Sequence, residues 1–150
     1  MALTWAEHLS VGNAVIDSDH KNLMVVVNSV ESAIGTRNRA ALTKSFELLD
    51  TYMDLHFRNE EKIAEAIKFP FAQSRFEHRQ LMHEMRYMKE KLESDFSHWP
   101  DRLLDQYSRF LDGWMTDHII KTDMKMKPAL QAYPYDFCPD SQNPVASVDE

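Results

Sequence analysis

The sequence predicts an all-α protein, an antiparallel up-down-up-down four-helix bundle with an N-terminal arm and a short C-terminal helix or tail. Three observations lead there. Only 3 glycines occur in 150 residues, so long helices meet few breaks. Apolar residues recur at three- and four-residue steps in four separate runs, while β-type alternation is scarce. Short connections join the runs, which makes consecutive helices antiparallel neighbours. With 43% hydrophobic residues the chain can bury one continuous core, and a single domain fits its length.

The first run follows Asp17 and Ser18, read as N-caps, and places His20, Leu23, Met24, Val27, Val30 and Ile34 on one face, with Gly35 as its stop. A second opens near Asn38 and carries Leu42, Phe46, Leu49, Met53, His56, Glu60, Ile63 and Ile67. After the turn at Phe69-Pro70 a third seam reads Phe71, Ser74, His78, Leu81, Met85, Met88, Leu92. Pro100, read as a first helical residue, opens the fourth, with Leu104, Tyr107, Leu111, Trp114 and His118 on one face. A short helix is expected from Met124 to Ala132. The bundle is therefore placed at residues 1–132, and residues 133–150 are expected to form a poorly ordered tail.

Composition excludes several functions. A formal charge of -7 argues against nucleic acid or an anionic membrane as partner. No apolar run approaches the roughly 20 residues that span a bilayer, and the opening residues lack the basic region of a signal peptide, so a cytoplasmic location is expected. Cys138 is the only cysteine, which rules out an internal disulfide and the usual multi-cysteine metal sites.

The polar residues inside the seams carry the functional signal. In an up-down-up-down bundle His20, His56, Glu60, His78 and His118 all fall at one end, at heights agreeing to within roughly 10 Å. Imidazoles offer one lone pair each and carboxylates two oxygens, a donor set suited to Fe, Zn or Mn. His56 and Glu60 are one turn apart on one face and able to reach adjacent positions on one metal centre. Asp123 is five residues past His118, about 140° away in a regular helix, so the helix must end there or loosen, as a π-type turn would do, for both to point inward. Taken singly, each has a bland explanation: His20 as a core or capping histidine, His56 with Glu60 as a surface pair. Together they do not, because burying this many ionisable groups at one level without partners would cost several kcal/mol each. His8, His83 and His98 read as surface groups, Trp114 and Ile119 as packing beside His118, and Lys121, Lys125 and Lys127 as helix-end charge.

Trp5 with Leu9-Ser10-Val11-Gly12, Ile16-Asp17-Ser18-Asp19-His20-Lys21, His56-Phe57-Arg58-Asn59-Glu60-Glu61, and Trp114-Met115-Thr116-Asp117-His118-Ile119 through Asp123 resemble the bacterial hemerythrin family. The resemblance covers roughly Leu3 to Ala132. It implies a four-helix bundle with two non-haem irons bridged by one Glu, one Asp and an oxo or hydroxo oxygen, five histidines completing the set. Carried over by matching position, Glu60 and Asp123 bridge, His20 and His56 bind one iron, and His78 and His118 the other. The family's third helix has His-x-x-x-His, whereas here His78 and His83 stand five apart. Either His78 matches the second family histidine and Ser74 stands at the first, or a π-bulge brings His78 and His83 both to the core. The first needs no distortion of the seam from Ser74 to Leu92.

The resemblance implies a binding protein that holds dioxygen or a related small ligand for storage, transport or sensing, and no catalytic residue is assigned. The alternative is a diiron redox enzyme reducing oxygen, peroxide or nitric oxide, or a single-metal variant of the family. Glu-x-x-His pairs, the mark of ferritin-like diiron enzymes, are absent from the sequence. The sequence points to no particular redox partner.

Overall fold

The computed structural model describes residues 3–95, 98–118 and 122–139, and among these every regular element is helical. The elements are α1 (Ala14–Gly35), α2 (Arg39–Ala66), α3 (Ala72–Asp95), α4 (Asp101–Asp117) and a short α5 (Lys127–Leu130), with 3-10 turns at Glu7–Leu9 and Asp123–Met126. α1 packs against α2 and α4, and α2 against α3, as the up-down-up-down order requires.

Local chemistry sets the helix ends. α1 starts one turn earlier than the sequence suggests, because Asn13 is the cap, its side chain accepting from Val15 N at 3.0 Å and Ile16 N at 3.1 Å. Asp17 is instead buried and accepts from Val11 N at 2.9 Å, from Ser10 Oγ at 2.5 Å and from Tyr135 Oη at 2.9 Å. Gly35 is the last helical residue of α1 rather than its stop. The reversal falls at Arg37 (φ 52), where Asn38 N donates to Ala33 O at 3.0 Å. Lys68 (φ 59) repeats the device after α2, with Phe69 N on Ala64 O at 2.8 Å. Both are Schellman-type ends with a left-handed residue. Asn38 caps α2 through Ala41 N at 3.0 Å, and Pro100 is the N-cap of α4 rather than its first residue.

Two apolar clusters divide the bundle. The larger joins Leu23, Val27, Val30 and Ile34 of α1 to Leu42, Leu49 and Met53 of α2, Met88 and Leu92 of α3 and Leu104 and Leu111 of α4. The smaller holds Val11, Ile16, Ile63, Ile67, Phe71, Met126 and Leu130. His20, His56, Glu60 and His78 fall between the two along their helices. The donors thus form a polar layer with hydrophobic material on both sides.

The expectation of a loose tail does not hold for its first part. Residues 133–139 pack onto the start of α1: Ala14 N donates to Tyr135 O at 2.8 Å and Asn13 Nδ2 to Phe137 O at 2.9 Å, while Tyr133 and Phe137 pack against the smaller cluster. Residues 140–150 lie outside the described residues, as do Ile119 and Lys121. At the other terminus Leu3 exchanges two hydrogen bonds with the Asn28 side chain, which lays the arm along α1.

Candidate metal centre

The helical seams deliver six donor residues to one level, and all are buried: His20, His56, Glu60, His78, His118 and Asp123. One ligand atom from each of His20, His56, Glu60, His118 and Asp123 lies within 4.8 Å of the others. Asp123 Oδ2 is the hub, 2.5 Å from His20 Nε2, 2.7 Å from His118 Nε2 and 3.2 Å from His56 Nε2. Glu60 faces two ways. Its Oε1 is 3.2 Å from His56 Nε2 and 3.6 Å from His118 Nε2, and its Oε2 is 3.1 Å from His78 Nε2.

His118 and Asp123 converge because the α-helical backbone stops at Asp117: His118 and Thr122 have π-type backbone and a 3-10 turn begins at Asp123. α3, in contrast, is regular throughout. His78 is therefore inside, His83 exposed, and Ser74, one turn before His78, half-buried. No π-bulge brings His83 to the core. His78 is fixed by its ring, stacked on Phe57 at 3.8 Å and 9°, while Trp114 stacks on His118 at 5.9 Å.

Sequence reasoning missed two supporting residues. Asp19 is buried, and its Oδ2 lies 2.9 Å from His56 Nδ1 and accepts from Asn59 Nδ2 at 3.1 Å. A signal was present, since Asp19, Leu23, Val26 and Val30 follow four- and three-residue steps and all are buried. With Nδ1 of His56 donating to Asp19, its Nε2 is left with a lone pair aimed into the cluster.

Electrostatics favour a cation here. Burial drives His20 down to about 4, against the pull of Asp123, and His78 down to about 3, with the charge on His118 adding to the effect. Both imidazoles are held neutral, as metal ligands must be. Burial opposes charge on His56 too, but the Glu60 carboxylate and bonds to Asp123 and Asp19 raise it well above its ordinary value. Burial raises Glu60, and the charge on Asp123 raises it further. For Asp123 burial is outweighed by the charge on His118 and by contacts with Glu60, His118 and His20, which hold it well below the usual carboxylate range.

Several donors have no hydrogen-bonding partner of their own. His20 Nδ1, both Glu60 oxygens and His78 Nε2 are buried and lack a hydrogen bond, although Glu60 Oε2 and His78 Nε2 are close. Each such group costs about 1–3 kcal/mol when left unpaired. His56 Nε2 and His118 Nε2 meet at 2.8 Å, a contact that needs a proton or a cation between two lone pairs. The donor set fits iron: nitrogen and carboxylate oxygen, no sulfur.

Two clefts reach this layer. One between α3 and α4, about 570 Å³, is lined by His78 and His118 with Leu81, Phe110 and Trp114. The other, between α2 and α3, is about 340 Å³ and reaches Phe57 and His78.

Bundle and layer together define a metal-binding four-helix bundle. Comparison with known proteins agrees: the family model described as the hemerythrin HHE cation binding domain matches residues 11–130. The chain is 26% identical over 132 residues to a bacteriohemerythrin of Methylococcus capsulatus, covering 87% of this chain and 98% of that protein. A hemerythrin-like protein of Naegleria gruberi is 26% identical over 127 residues, with coverages of 84% and 92%. A crystal structure of a hemerythrin mutant superposes with a TM-score of 0.75 at 26% identity, covering 87% of this chain and 98% of that one. The chain belongs to the hemerythrin family. Among the described residues no helix is long and apolar enough to cross a membrane.

Proposed function

We propose that the chain holds two non-haem irons through His20, His56, Glu60, His78, His118 and Asp123 and binds dioxygen or a related small ligand there, for storage, transport or sensing in the cytoplasm. The observation that carries this is Glu60, buried with both oxygens lacking hydrogen bonds, one beside His56 and His118 and the other beside His78. A carboxylate so placed suits two cations rather than one. Iron in the reduced state supplies the electrons that a dioxygen ligand requires.

The chain's own residues supply the rest. Asp19 fixes the tautomer of His56, Phe57 and Trp114 hold the rings of His78 and His118, and the two apolar clusters keep bulk water away. The α3–α4 cleft gives a route to His78 and His118, and its carboxylates Glu77, Glu84 and Asp117 against Lys125 favour uncharged ligands over anions. One observation favours the alternative of a redox enzyme. α3 contributes a single histidine, with Ser74 half-buried and His83 outside, which leaves one protein ligand fewer to restrain oxidation.

Iron analysis and the visible spectrum of the anaerobically reduced protein, before and after oxygen, test both. The expected result is two irons per chain and an oxygen-dependent band that vacuum reverses. A value near one iron sinks the dinuclear centre, and rapid irreversible oxidation decides for the enzyme. Ser74→His should slow that oxidation. An unchanged rate and iron content would show that position 74 does not control it.

A further inference from the structure

The second cleft is unlike the first in charge. Arg58, Arg75, Arg79 and Arg86 line the opening between α2 and α3, against Asp54 and Glu61 in the cleft and Asp50 beside Arg86, which leaves the charge of Arg79 in excess. This basic patch lies on a chain of net charge -7. Three of the guanidinium groups are anchored: Arg58 to Asp54 at 2.6 Å, Arg86 Nε to Asp50 at 2.9 Å, and Arg75 to Glu61. An ion pair uses only part of the five donors of a guanidinium, so each retains capacity for an incoming carboxylate. Arg79 makes no ion pair among the described residues. Phe57 and His78 also line the cleft, their rings stacked at 3.8 Å, and His78 Nε2 is 3.1 Å from Glu60. A protein seated here therefore meets the donor layer at His78 itself, with the stacked ring of Phe57 beside it.

We infer that the arginine-lined α2–α3 cleft is the docking face for an electron-donor protein with an acidic surface. The inference rests on the proposed iron centre. A centre that binds its ligand in the reduced state needs electrons whenever it becomes oxidised. At each encounter the donor loses one electron and an oxidised iron gains it, and no bond in this chain forms or breaks. Charge decides which face serves. The α3–α4 cleft is lined by Glu77, Glu84 and Asp117 with Lys125 and repels carboxylates, whereas the α2–α3 cleft attracts them. Arginine is also the charged residue most favoured at protein interfaces.

The probe is a strongly acidic plant-type ferredoxin, titrated into the iron-loaded chain by calorimetry and, reduced, mixed with the oxidised protein in a stopped-flow experiment. Arg79→Glu/Arg86→Glu should weaken binding and slow reduction by about tenfold or more, and wild-type binding should fall steeply with salt while that of the variant does not. Iron content and reduction by the neutral quinol duroquinol should stay the same. If the charge reversal disturbs folding, Arg79→Gln/Arg86→Gln carries the same test with a smaller effect. Equal ferredoxin affinity and rate in variant and wild type would overturn the docking face. So would binding to phosphatidylglycerol vesicles or inorganic phosphate that depends on these arginines without any effect on ferredoxin. A wild-type chain that retains no iron after loading would instead remove the iron centre on which the inference rests.

Discussion

The two ends of the bundle use the same helical seams for opposite purposes. In the distal half, positions facing the core carry Leu42, Leu49, Met53, Leu92, Leu104 and Leu111, and stability there comes from apolar area removed from water. At the other end the corresponding positions carry His20, His56, Glu60, His78 and His118, roofed by Ile16, Ile63, Ile67, Phe71, Met126 and Leu130. A hydrophobic seam satisfies itself on packing. The polar layer does not, since both Glu60 oxygens and His78 Nε2 are buried without hydrogen bonds, and a bound cation would offset their desolvation.

Metal removal should therefore separate the two halves most strongly. A ligand at a thousand times its dissociation constant stabilises by about 4 kcal/mol, and for a chain of this size that shifts the thermal midpoint by on the order of 10 °C. Calorimetry of iron-loaded and chelator-stripped protein measures the shift. Hydrogen exchange should localise it to the start of α1, the end of α2 and the Asp123–Met126 turn. Equal loss of protection around Leu49 and Leu92 would break the distinction.

The converse change is Leu49→Ala, which removes a fully buried side chain from the distal cluster. It should cost about 2–5 kcal/mol in denaturant unfolding. Iron per chain should not change. A parallel loss of iron would mean that the two halves are one cooperative unit with no division between core and site.

Much of this was legible in the sequence because helical periodicity reports which face is buried whatever residue occupies it. The seams placed His20, His56, Glu60, His78 and His118 on inward faces, and the five-residue spacing to Asp123 required the α-helix to end or loosen at His118, as it does. The start of α1 was less legible. Asn13, Asp17 and Ser18 are all good caps, and only the bonds from Ser10, Val11 and the distant Tyr135 show that Asp17 is engaged elsewhere. The packing of residues 133–139 was hidden for the same reason: Pro134 and Pro139 read as loop, and the hydrogen bonds that order the segment come from Asn13 and Ala14, more than a hundred residues away. Asp19 went unread because a carboxylate beside a histidine looks solvent-facing until its place on the Leu23–Val26–Val30 stripe is noticed.

Asp19→Asn tests how far the layer depends on its support. An amide keeps the shape but loses the charge that accepts from His56 Nδ1. Loss of such a partner typically lowers metal affinity about 10–100-fold. Competition with a chelator of known affinity would read this directly, while the distal half keeps its stability. Affinity unchanged within a factor of two would show that Asp19 only packs.

The smallest effect concerns a polar pair in the distal half that no cation relieves. Glu31 of α1 faces Asp112 of α4, and burial, with that second carboxyl beside it, pushes the Glu31 carboxyl up to about 8 from its ordinary 4.5. Between those two values the folded chain holds a proton that the unfolded chain has released, so this pair makes stability fall as pH rises. Below pH 4.5 both states are protonated and the penalty vanishes; above pH 8 it is fully present. Glu31→Gln keeps a hydrogen-bond donor toward Asp112 without the titration. The variant should be the more stable above pH 8, by under about 1 kcal/mol because the group is partly solvent-screened. The wild-type and variant stability curves should then converge on acidification toward pH 4.5. Curves that stay parallel across that range would place the pH dependence elsewhere, in the histidine layer, and leave the distal half electrostatically silent.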